Sequence, residues 1–186
     1  MDSFERRTFM KGAAVSALVF TVGGTDVLLT AREAYAQNVP LKVLAPGERA
    51  ALEALGDTLL PGAKDAGLAH YLDAQLSVAP SECMLLIRTL DVPPPYTTFY
   101  RKGLEGLDQV SQKLHGGKFA ALTPTERHGL VDQIRQKNPD GWAGPPSPFF
   151  YFVTRVDAVD VCYGTVEGFE KLSIPYMPHI LPTRSW

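Results

Sequence analysis

Pro46-Gly47-Glu48-Arg49-Ala50-Ala51-Leu52-Glu53-Ala54-Leu55-Gly56-Asp57-Thr58-Leu59-Leu60-Pro61-Gly62-Ala63 sets the fold class. Proline at the opening lacks only an N–H that a helix start leaves unpaired anyway. Leu52, Leu55, Leu59 and Leu60 then recur at i, i+3, i+7 and i+8, one face of a helix. Pro61-Gly62 stops it, since proline has no N–H to continue the ladder and clashes with the preceding turn.

The same grammar repeats downstream. A helix starting near Asp65 presents Leu68, Tyr71, Leu72, Gln75 and Leu76, and Pro80-Ser81-Glu82 opens another with Cys83, Leu86, Ile87 and Leu90 inward. Pro93-Pro94-Pro95 forces an extended break. A long amphipathic helix follows through Phe99, Tyr100, Gly103, Leu104, Leu107, Val110 and Leu114, ended by Gly116-Gly117. Thr123-Pro124-Thr125-Glu126 is a capping box with proline at the first helical position, leading into Leu130, Val131 and Ile134. Asn138 to Pro148 reads as a loop. Ser147-Pro148 then starts a helix through Phe149, Phe150, Tyr151, Phe152, Val153, Val156, Val159 and Tyr163, with 149, 152, 153 and 156 expected inward. The expected class is all-α, one compact helical domain over 37–164.

The N-terminus carries a different signal. Arg6-Arg7-Thr8-Phe9-Met10-Lys11 precedes a small-residue and apolar run through Ala13, Val15, Leu18, Val19 and Phe20. A twin arginine before such a run is an address for export of folded proteins, with Arg6, Arg7, Phe9 and Lys11 as its recognition residues. Ala34-Tyr35-Ala36 is a small-x-small cleavage site that would leave Gln37 as the mature start. Residues 1–36 are therefore expected to be a signal segment and the protein periplasmic. Asp26, with Gly23 and Gly24, argues against a membrane span, since a central Asp costs about 2.5–3.5 kcal/mol on insertion. Membrane association is expected only indirectly or through an uncleaved signal.

Charge and motifs exclude much. The first 36 residues hold four basic and four acidic side chains, so net charge is −2 with or without them. That leaves no basic footprint for nucleic acid. Cys83 and Cys162 stand apart from any C-x-x-C, and His70, His115, His128 and His179 show no zinc spacing. No dinucleotide, phosphate-loop or nucleophile-elbow motif is present. No cofactor, metal or catalytic residue is expected on this chain. The two thiols can pair with each other, pair with a partner, or stay buried and free.

Residues 165–186 read as an extended, partner-docking tail. Pro175, Pro178 and Pro182 bar helix or central strand. Phe169, Ile174, Tyr176, Met177, Ile180, Leu181 and Trp186 would form an apolar exposure that a monomer rarely tolerates. The tail either folds back on its own helices or lies on another protein, and interface composition favours the latter. Tyr163 and His179 join that expected interface.

The twin-Arg leader, the Ala50-Ala51-Leu52 to Ala63 segment, Leu122-Thr123-Pro124-Thr125-Glu126 and Tyr163-Gly164-Thr165-Val166-Glu167-Gly168-Phe169 together resemble the gluconate 2-dehydrogenase subunit 3 family. The resemblance implies a helical, non-catalytic small subunit beside a large FAD-dependent flavoprotein of the glucose–methanol–choline type. A multihaem cytochrome often accompanies such a pair. It further implies that this chain escorts the large subunit out on its own export signal and stabilises it. Cys162 is the candidate for an intersubunit disulfide.

Three rival readings are weighed. Asp157 and Asp160, one turn apart beside Arg155, are expected on a solvated helix face rather than as an acid/base pair. His179 is read as an interface residue rather than a catalytic one. A stand-alone periplasmic helical protein could instead bind a small apolar ligand among Tyr100, Trp142, Phe149 and Phe152.

Overall fold

In the computed structural model, which describes residues 17–174, the Pro46 stretch is a central helix. This helix, α2 (Pro46–Leu59), buries Ala51, Leu52 and Leu55. Around it pack α3 (Leu68–Leu76), α4 (Tyr96–His115), α5 (Pro124–Gln136) and α6 (Ser147–Tyr163). Two short 3-10 turns, Leu86–Thr89 and Phe119–Ala121, fill the gaps. The short α7 (Val166–Lys171) packs on α6.

Local chemistry explains the boundaries. At α5, Glu126 Oε2 accepts from the Thr123 N–H at 2.8 Å, half of a capping box that pairs an otherwise orphaned donor. α3 begins at Leu68, three residues later than the expected start near Asp65. Gly67 interrupts at φ +87°, a left-handed conformation that glycine adopts without strain. The segment after Pro80 is turns and a 3-10 turn instead of an α-helix. Its inward residues are Cys83, Leu85 and Ile87, an alternating set, with the Met84 N–H held by Gln75 Oε1 at 2.7 Å. Residues 166–171 are helical where an extended tail was expected. Thr165 Oγ1 accepts from the Gly168 N–H at 3.0 Å as an N-cap, and the chain's helix-breaking prolines lie beyond Ile174.

The all-α expectation also meets a small exception. β1 (Leu18–Val22) and β2 (Thr25–Leu29) form an antiparallel hairpin, with Val22 opposite Thr25 and Leu18 opposite Leu29. Gly23 and Gly24 make the two-residue turn at φ +58° and +83°, the geometry that matches the twist of paired strands. α1 (Ala31–Ala36) follows, and hairpin and helix dock on α3. Among the described residues, no helix is long and apolar enough to cross a membrane.

Candidate partner-binding face

α6 carries two apolar faces. The inner one buries Phe150, Val153, Thr154, Asp157, Ala158 and Val161. Phe150 reaches α4 where Gly103 leaves room: a Cβ there would lie 2.2 Å from the Phe150 ring. Phe99 meets Phe149 and Phe150 at centroid distances of 5.5 and 5.9 Å, and Trp142 meets Phe150 at 5.9 Å. Of the aromatic residues of the ligand-binding reading, Tyr100 and Phe149 pack on Phe99 and Trp142 on Phe150, with Tyr100 buried, whereas Phe152 stands exposed.

The outer face is apolar as well. Phe149, Phe152, Val156, Val159 and Tyr163 recur at spacings of 3, 4, 3 and 4 along α6. Phe152 is 46% exposed and Val159 39%, while Phe149, Val156 and Tyr163 are half-buried. Such a seam is what a helix presents to a packing partner. The sequence expected Phe152 to face inward; it faces out, and only Val153 of the four expected inward residues is fully buried. Beyond the seam, Ile174 is exposed and Phe169 half-buried. Tyr176, Met177, His179, Ile180, Leu181 and Trp186 lie outside the described residues, as do Arg6, Arg7, Phe9 and Lys11.

Asp157 overturns the solvated-face expectation. It is fully buried, and its Oδ2 accepts from the Tyr100 hydroxyl at 2.8 Å. Its Oδ1 has no hydrogen-bond partner. Burial, opposed by the Tyr100 bond and helped by Asp160, pushes its carboxyl up to about 8. At neutral pH it is a neutral acid locked in the core. Asp160 is exposed, so the two carboxyls do not form an accessible pair. Burial likewise raises the Cys83 and Cys162 thiols. Both cysteines are free, Cys83 buried and Cys162 half-buried on α6.

A second surface is chemically different. A groove of about 930 Å³ lies between α2 and α4, lined by Glu48, Arg101, Lys102, Glu105, Asp108 and Lys118 among others. Its charges are paired: Arg101 with Glu48 at 3.1 Å, Lys102 with Glu105 at 2.9 Å, Lys118 with Asp108 at 3.9 Å. Lys113 is also on the lining and pairs with Asp140 outside it, so the groove's own side chains carry a small positive excess. Among the described residues, no group of three His, Cys, Asp or Glu side chains could hold a metal ion.

Ala34 and Ala36 of the expected cleavage site fall in α1, Ala34 fully buried and Ala36 exposed. The outer seam of α6 and the buried position of Asp157 were missed by sequence reasoning. Their only signal was that α6 is apolar around most of its circumference. Comparison with curated proteins and with solved structures returned no match. The family model described as gluconate 2-dehydrogenase subunit 3 matches residues 46–180, from the start of α2 past the end of α7, and the chain belongs to that family.

Proposed function

We propose that this chain is the non-catalytic small subunit of a periplasmic FAD-dependent sugar or sugar-alcohol dehydrogenase complex. Its family supports an accessory place in an oxidoreductase assembly. The observation that carries the reading further is the α6 seam, where Phe152 and Val159 stand exposed on a helix whose opposite face is already core. An apolar stripe left on the outer side of a helix is the kind of surface a packing partner covers. In this reading the seam and the tail from Tyr163 to Trp186 dock on a large flavoprotein of the glucose–methanol–choline type. Hydride chemistry belongs to the flavin there, and electrons leave toward a cytochrome or quinone. The small subunit stabilises the flavoprotein, and its Arg6-Arg7 signal carries the folded pair out together. Cys162, half-buried on the same helix, is the residue to form an intersubunit disulfide.

The test is an affinity pull-down of the C-terminally tagged chain from its native cells, followed by an absorbance spectrum. A large co-purifying chain with flavin bands is the expected result. A clean, colourless monomer would remove the subunit reading. Replacing Arg6-Arg7 by Lys-Lys should strand both chains in the cytoplasm, and undiminished export of the large chain would sink the escort role.

A further inference from the structure

We propose that residues 18–36 are a permanent strap of the folded domain and that the Ala36–Gln37 bond is not hydrolysed, although the sequence around it reads as a peptidase site. Two features of the body are shaped to receive this segment. Gly67 sits against α1 so closely that a Cβ would lie 2.1 Å from the Ala31 carbonyl oxygen. The His70 imidazole is fully buried beneath the segment, with Nε2 3.0 Å from the Val39 carbonyl and the rings of Phe20 and Tyr35 at 6.3 and 6.0 Å. Asp73 then accepts the N–H groups of Lys42, Val43 and Leu44 at 2.8, 2.8 and 2.9 Å, fastening the chain just after the strap.

The scissile bond itself is folded. Thr30 and Glu33 cap α1 reciprocally, Thr30 Oγ1 accepting from the Glu33 N–H at 3.1 Å and Glu33 Oε2 from the Thr30 N–H at 2.7 Å. At the other end, the Gln37 and Val39 N–H groups donate to the Glu33 and Ala34 carbonyls at 2.9 and 3.0 Å. A peptidase must draw these residues out as extended chain, and nicking concentrates where the backbone is exposed and unbonded. Here Ala34, one of the two small side chains such an enzyme must read, is 0% exposed in a cluster with Phe20 and Val39. Extraction would strip that cluster and leave Gly67 and His70 facing water. The strap precedes the family-matched region, which begins at residue 46.

The strap does not depend on export: a chain that stays in the cytoplasm keeps these residues too, and cell fractionation reads that question separately. The experiment is intact-mass and N-terminal analysis of the full chain from fractionated native cells. Every fraction should show a chain that includes Leu18 to Ala36; a chain beginning at Gln37 overturns the proposal. A second arm treats the purified full chain with elastase, which cuts after small residues. Phe20→Asp, which leaves the Ala34-Tyr35-Ala36 pattern and the main core untouched, should speed cleavage between residues 34 and 37 by at least about tenfold, because cutting tracks the opened population. Ala74→Arg, which pushes on the strap from α3, should do the same. Equal rates in wild type and both variants would show that docking does not protect the bond, and would overturn the proposal.

Discussion

α4 and α6 cross at Gly103 and Phe150 and share one core, yet their outer faces differ. Arg101, Lys102, Glu105, Gln109, Gln112 and Lys113 cover the exposed side of α4, several of them ion-paired. Phe152 and Val159 stand on the corresponding side of α6, flanked by exposed Arg155 and Asp160. Both helices satisfy the same interior, so the interior cannot explain the difference. What differs is the outer chemistry, charged and ion-paired on α4 and largely apolar on α6, and under the proposed function the second is the face that docks.

The comparison can be broken most severely from inside. Phe150→Ala should cost about 3–5 kcal/mol in urea unfolding, because the ring fills the space that Gly103 leaves. Next comes the buried acid beside it. An unfolded Asp loses its proton near pH 4, whereas Asp157 in the folded state holds its proton up to about 8. The folded state therefore binds more protons between those values. Stability should fall as pH rises through that window, with a slope approaching about 1.4 kcal/mol per pH unit, and level off above it. Asp157→Asn, unable to titrate, should flatten the profile between pH 5 and 8; a profile identical to wild type would contradict a buried acid at this position.

The outer faces separate in the next experiments. Phe152→Asp with Val159→Asp should change isolated stability by no more than about 0.5 kcal/mol per site. The same pair should weaken capture of the large subunit by about 30-fold or more, the scale of a central interface residue. A comparable loss of stability would instead make the seam part of this chain's own core. Thr123→Ala, which removes the α5 cap, should cost about 1 kcal/mol with capture unchanged. Smallest of all, Lys102→Ala on α4 should cost at most about 0.5 kcal/mol and leave capture intact, as exposed ion pairs contribute little.

What could be read from the sequence follows the strength of local signals. α2 and α5 were legible because an opening proline and an apolar recurrence at helical spacing agree within each segment, with a capping box as well at α5. The hairpin was not, although Gly23-Gly24 between two five-residue runs is a turn signal. The same small and apolar residues satisfy the grammar of an export leader, and periodicity cannot arbitrate between the two. α6 was legible as a helix but not in its rotation. With Phe149, Phe150, Tyr151, Phe152 and Val153 consecutive, no arc is clearly polar. Asp157 went inward because the arc of Phe150, Val153 and Val161 carries it there, a tertiary choice with no local marker. α7 was hidden by the prolines that follow it.

The hydrogen bonds just after the strap also set a clock. The Val39 carbonyl and the Lys42 amide each find their partner 31 residues further along, at His70 and Asp73. At about 5–20 residues per second, synthesis takes roughly 2–6 s to cover that distance. Until His70 and Asp73 have been made as well, these two groups just after the strap have no native partner. The part of the body that receives the strap, with Gly67 and His70, is thus completed only after the strap itself has been made.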